Sequence, residues 1–267
     1  MSLGTVARAV PTLVKIGFAE AVAYRAEFLV WMLSTTMPLI MLALWSAVAR
    51  DGPVGRFGQS EFVAYFLATF IVRQLTGAWV AWQMNYEIRQ GTLAMRLLRP
   101  IHPLIPYAVE NLAAQPLRLL VALPVAAAGL GLVGTQLLPR DPLLWMEWCA
   151  AMLGAWLITF FASCCIGCLA FYLDSSIKLM EAWLALYFVL SGYLFPVELL
   201  PAAVRRVVDW LPFRYQIGLP VELMTSAHDP RSGLLLLGRQ WAFAAMLLVT
   251  ALVVWRRGLA RFAAYGG

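Results

Sequence analysis

Charge is what this sequence has least of. Only 13% of its 267 residues are Asp, Glu, Lys or Arg, against roughly 25% in an average soluble domain. That is too little to clothe a water-soluble globule of this length. Lysine is scarcer still: Lys15 and Lys178 are the two in the chain, and neither follows a glycine. A phosphate-cradling loop needs a lysine behind a glycine-rich turn, so no P-loop is present and no ATP is hydrolysed by that route. The two histidines, His102 and His228, are expected on opposite sides of a membrane, where they cap or decorate loops and share no site. Of the four cysteines, Cys149 stands alone, while Cys164, Cys165 and Cys168 lie in one apolar run. Cys164 and Cys168 share a helix face, which speaks for close helix packing over metal or redox chemistry. No repeat of 20 to 50 residues and no low-complexity tract interrupts the chain.

What is present is apolar surface, 62% of the residues being hydrophobic. It comes in runs near 20 residues, the length at which a helix rising 1.5 Å per residue crosses about 30 Å of hydrocarbon. The chain reads as an all-α membrane protein, a single transmembrane domain over residues 1–267, with about six spans: 28–49, 62–82, 108–133, 144–172, 178–196 and 234–255. The first run is longer than a signal-peptide core and lacks a small-residue cleavage pattern. The fourth is long enough to tilt. Within residues 1–27, Thr5, Arg8, Thr12 and Lys15 recur as one polar stripe and Val10, Val14 and Phe18 face elsewhere. This is the pattern of an interfacial helix, with Pro11 a place to kink.

Lys and Arg positions set the orientation. With the N-terminus inside, the inner segments hold ten of them and the two short outer loops three (Arg50, Arg56 and Arg140). Both termini are therefore expected in the cytoplasm. The net charge of +6 is spread over these segments, which suits anionic lipid and topology and not nucleic acid. Two connections are more than loops. Residues 83–106 hold a cytoplasmic helical stretch with Arg89, Thr92 and Arg96 on one face and Tyr86, Gln90, Leu93 and Leu97 on another, stopped by Pro100 and Pro103. Residues 197–233, on the outside, set Arg205, Arg206 and Asp209 opposite Val204, Val207, Val208 and Leu211, so this segment lies flat on the surface or dips back into it.

Polar residues inside spans cost roughly 2.5 to 3.5 kcal/mol each when ionised at the bilayer centre. Arg73 sits midway along the second span beside Gln74 and Thr76, either in a structural pair or on a substrate path. Asn111, Gln115 and Arg118 fall at i, i+4 and i+7 in the third span and line an inner vestibule or a subunit seam. Asp174, Lys178 and Glu181 share a face and are expected to pair with one another. Trp31, Trp45, Trp79, Trp82, Trp145, Trp148, Trp183, Trp241 and Trp255 fall mostly near span ends, as interfacial anchors do.

Two stretches carry a resemblance. GTLAMRLLRPIHPL, from Gly91 to Leu104, is similar to a Gly…Leu-Leu-Arg-Pro segment of a bacterial subgroup of ABC-2-type permeases, the membrane subunits of type 2 ABC exporters. SGYLFPVELLPAAVRRVVDWLPFRYQIGLPVELM, from Ser191 to Met224, resembles that family's outer re-entrant region. Ala94 departs from the pattern, since relatives often carry an acidic residue there. The resemblance implies a bacterial cytoplasmic-membrane permease subunit that is not itself an enzyme and binds no cofactor. ATP and Mg would sit on two separate ATPase subunits. A second permease chain, identical or a sister, would complete the pathway. The segment after the second span would be the coupling helix that docks on the ATPase, mapping here to Tyr86, Glu87, Ile88, Arg89, Gly91, Thr92, Leu93, Arg96 and Arg99. The residues agree in being short, amphipathic and net basic. The alternatives are a stand-alone secondary transporter or channel, for which mid-span ion ligands and inverted repeats are wanting, and an intramembrane enzyme, for which no convergent acid, base or metal set exists.

Overall fold

A computed structural model describes residues 3–23, 30, 35–133, 141–225 and 230–262. Among the described residues the regular structure is helical, with no strand and one isolated β-bridge between Val54 and Phe57. In chain order the helices are α1 Leu3–Ala23, α2 Met37–Val48, α3 Gln59–Thr76, α4 Val80–Arg89, α5 Leu93–Leu97, α6 Leu104–Ala113 and α7 Gln115–Val133. There follow α8 Pro142–Cys168, α9 Ser176–Leu190, α10 Ala202–Val208, α11 Gly218–Met224 and α12 Pro230–Leu259.

Among the described residues four stretches are long and apolar enough to cross a membrane: Gln59–Arg89, Leu104–Gly129, Pro142–Phe171 and Ser232–Leu259, of 26 to 31 residues. The chain is thus a multi-pass, all-α membrane protein. The expected first and fifth spans are represented by shorter helices. Helix α2, 12 residues long, lies within 28–49, where residues 28, 29 and 31–34 fall outside the described residues. Helix α9 has 15 residues, about 22 Å at 1.5 Å per residue, and ends six residues before 196. It stops because Gly192 takes φ +91, a left-handed conformation that a helix cannot continue through. The turn is fixed by the Tyr65 hydroxyl, which donates to the Gly192 carbonyl at 2.7 Å.

Helix α8 is the axis of the bundle. Pro142 opens it behind Asp141, whose carboxylate accepts the Leu143 N–H. Small residues then let neighbours approach. A Cβ at Gly167 would stand 3.0 Å from Met84 Cβ and 3.2 Å from Ala81 Cα of α4. Cys164 and Cys168 are fully buried in the same seam, the packing role expected of them. On another side, Gln240 of α12 donates from Nε2 to the Ala151 carbonyl (2.9 Å) and to the Tyr215 carbonyl (2.8 Å). Gly154 provides the space, since a Cβ there would come within 2.6 Å of the Gln240 amide. One side chain thereby ties α12, α8 and the segment before α11 together.

Of the two arrangements expected for segment 197–233, the described residues follow the one that dips back. Helix α10 leaves Val207 exposed and buries Val208, and α11 then turns inward, with Gly218 to Leu223 all buried against α8 and α3. Helix α1 runs through Pro11 without ending. Leu13 and Gly17 pack on α6, a Cβ at Gly17 standing 3.0 Å from Ala113 Cβ. Thr12 and Lys15 are exposed as the polar stripe requires, but Val14 and Phe18 are exposed too.

The expected cytoplasmic helix through 86–99 is interrupted. Helix α4 carries the second span on through Arg89, Gly91 adopts φ +72, and α5 restarts at Leu93. Arg89, Thr92 and Arg96 therefore do not share a continuous face.

Candidate functional site

The second span is broken near its midpoint. Helix α3 ends at Thr76, Gly77 swings to ψ 140, and α4 begins at Val80. A break inside hydrocarbon frees carbonyls and amides that no water can satisfy. The polar stripe of the third span satisfies them. Asn111 Oδ1 accepts the Trp79 N–H (3.2 Å), Gln115 Nε2 donates to the Leu75 carbonyl (2.9 Å), and Arg118 Nη1 donates to the carbonyls of Gln74 (3.2 Å) and Gly77 (2.8 Å). The three residues spaced i, i+4, i+7 thus cap a discontinuous neighbour.

Beside the break lies a half-open cavity of about 180 Å³. Arg73, Gln74 and Arg118 line it together with Trp79, Trp82, Trp183, Tyr187 and Tyr193. The Arg73 guanidinium stands 5.6 Å from the centroid of the Tyr187 ring and within hydrogen-bonding reach of the Tyr193 hydroxyl. Gln74 Nε2 donates to Thr35 Oγ1 at 3.0 Å. A Cβ at Gly77 would meet Arg73 Nη1 at 3.1 Å and Arg118 Nη1 at 3.2 Å, so two cations flank one glycine. Trp79, Trp82 and Trp183, which the sequence sets near span ends, line this cavity. The structure brings all five expected intramembrane residues to the break, with Asn111 and Gln115 behind it and Arg73, Gln74 and Arg118 facing the cavity.

The second constellation joins the two ends of the connector between the spans Gln59–Arg89 and Leu104–Gly129. Arg96 of α5 binds Glu87 of α4 through Nε and Nη2 (2.7 and 2.8 Å) and Glu110 of α6 through Nη1 and Nη2 (2.8 and 3.0 Å). Its guanidinium stands 4.2 Å from the Tyr107 ring centroid, and the Tyr107 hydroxyl donates to Glu87 at 2.5 Å. Gln83 donates to Glu110 at 2.9 Å. Burial works against the Arg96 charge, but Glu110 and Glu87 outweigh it and hold the guanidinium above its ordinary pKa. Arg96 and Glu87 therefore brace the connector from within. Ile88 and Leu93 are buried below them, while Tyr86, Arg89, Thr92 and Arg99 are exposed. Arg89 donates to the Leu173 carbonyl and pairs with Asp174 at 3.2 Å, so Asp174 faces Arg89 where pairing with Lys178 was expected. Sequence reasoning missed Met95 and Leu98, 68% and 79% exposed on the outer side of α5. Their signal was two large apolar residues flanking Arg96.

A third set also escaped the sequence. Arg214 pairs with Asp209 and, at 2.8 Å, with Glu222 inside the 197–233 segment. Burial opposes the charge there, and Glu222 and Asp209 raise it above its ordinary pKa. At the start of α6, His102 Nδ1 accepts the Leu104 N–H at 3.3 Å, the loop-capping role expected of it.

A family model described as ABC-2 family transporter protein matches residues 28–266. No curated protein matches the chain. A match over nearly the whole length, on a helical bundle with a braced connector after its second span, places the chain in the ABC-2 family of transporter proteins as a membrane permease.

Proposed function

We propose that this permease is the membrane half of an ATP-driven exporter of the bacterial cytoplasmic membrane, with both termini inside. Two separate ATP-binding subunits, carrying ATP and Mg, drive it, and a second permease chain faces it across the pathway. The observation that carries this reading is the connector 86–99. It presents Tyr86, Met95, Leu98 and Arg99 outward on a base that the Glu87–Arg96–Glu110 cluster makes rigid. An apolar pair ringed by basic residues, on a stiff mount, is suited to a groove in another protein and to passing a push inward. Helix α4 leads from the connector to the break at Gly77, where it can bend relative to α3 without losing backbone hydrogen bonds, because those are made to α6 and α7. The residues Arg73, Gln74 and Arg118 then lie on the substrate path.

The test is Met95→Asp/Leu98→Asp in the tagged full chain. Co-purification of an ATP-binding subunit from native membranes should be lost while the detergent-solubilised chain keeps its elution volume and melting point. Retention of the subunit by the double variant would overturn the docking assignment. The broken second span favours a second reading, a carrier working alone, since discontinuous spans with polar residues at the midplane serve such carriers. Ion-gradient-driven uptake by vesicles holding this chain and no ATPase would establish it.

A further inference from the structure

We infer that the cavity at the span break binds an anionic amphiphile, its phosphate or carboxylate head on Arg73 and its apolar body against the aromatic wall of α9. The charge argument comes first. Arg73 sits near the midpoint of the Gln59–Arg89 span, where an ionised group is costly, and a second guanidinium, that of Arg118, approaches the same glycine. Among the described residues that line the cavity there is no Asp or Glu. The neighbours of Arg73 described above, a tyrosine ring and a tyrosine hydroxyl, carry no charge that would neutralise it. An anion entering here meets the Arg73 guanidinium in a poorly screened place, where charge pairs are strongest.

The shape argument follows. A volume of about 180 Å³ lies below the roughly 300–1,000 Å³ of pockets that enclose a drug-sized ligand, enough for a head group and its first carbons but not for a whole lipid. Trp183, Leu184 and Phe188 of α9 form the wall beyond the arginines. On the far side of the same helix Leu179, Leu186 and Val189 are exposed, so a chain leaving the half-open cavity meets apolar surface. As a substrate site the cavity rests on the permease reading above; as a binding site it is tested without transport or ATPase.

The full chain, purified in maltoside detergent, is titrated by calorimetry with oleyl phosphate, oleate, oleyl alcohol, oleylamine and inorganic phosphate. The two anionic amphiphiles should bind at least tenfold more tightly than the alcohol or the amine, and inorganic phosphate should bind more weakly than oleyl phosphate. Arg73→Gln should weaken the anions tenfold or more and leave the alcohol unchanged. Leu184→Trp, which fills the wall without touching a charge, should weaken the anions as well and guards against misfolding of the arginine variant. Equal binding of all the oleyl compounds, anion affinity unchanged by both variants, or inorganic phosphate matching oleyl phosphate would each overturn the inference. Such a failure would leave the permease reading intact wherever the ATP-binding subunit still co-purifies.

Discussion

Replacing Arg96 with methionine isolates what the brace in the connector is worth. Methionine keeps most of the volume and removes the charge. The two carboxylates it leaves, Glu87 and Glu110, have side chains only 14% and 21% exposed, and both received two hydrogen bonds from the guanidinium. Breaking a buried ion pair by removing one partner costs about 3–5 kcal/mol. Partial exposure lets water recover some of that, so a loss of roughly 2–4 kcal/mol is expected. The triple variant Arg96→Met/Glu87→Gln/Glu110→Gln removes the stranded charges and should regain most of it, a non-additivity expected of groups in one network. Thermal unfolding of the detergent-solubilised chain, followed by the loss of monodisperse protein on heating, reads both. If Arg96→Met melts with the parent, or the triple variant is less stable than the single one, the brace is not what holds α4, α5 and α6. The same reasoning bears on docking experiments. Arg96→Glu would set three carboxylates together and lose a partner through unfolding, so it cannot report on a docking surface.

Three further outcomes follow from particular contacts. Gln240→Met removes two donors to buried carbonyls on α8 and before α11, and should lower stability by about 1–3 kcal/mol per carbonyl stranded, measured by the same melt. Gly192→Ala combines a positive φ with a Cβ 2.6 Å from the Tyr65 hydroxyl; it should cost about 1–3 kcal/mol, and adding Tyr65→Phe should return only part, because the backbone strain remains. Burial lowers the pKa of His102 from its ordinary 6.5, so the folded chain binds fewer protons there than the unfolded one. Its contribution is complete above pH 6.5 and fades as pH falls below that. A melting series from pH 7.5 to 5.5 should show a small acid-side loss that His102→Asn removes.

Much of this architecture was legible in the sequence. Long apolar runs forced helices and bundle, because no other element of that length closes its own backbone hydrogen bonds in hydrocarbon. The spacing of Asn111, Gln115 and Arg118 identified one polar face, and Arg73 announced that something non-lipid lay beside it. What those residues face was not legible. The break at Gly77 is a tertiary event: the glycine loosens the helix, and the amide and guanidinium groups of another span make the opened conformation stable. Arg96 misled for a related reason. In a linear helix it stands beside Arg89, but the left-handed Gly91 turns it inward to Glu110, 14 residues on. Buried partners at such separations, like Gln240 with Ala151, leave no local signature beyond a polar residue in an apolar run and a glycine in another.

The docking role of the connector is the claim on which the account turns, and site-specific photo-crosslinking from Leu98 in native membranes tests it most directly. A photoreactive residue at this exposed position should form an adduct with an ATP-binding polypeptide, and the adduct should disappear when Met95→Asp is added. Crosslinks to lipid alone, with no ATP-binding polypeptide captured from Leu98 or from Tyr86, would contradict it.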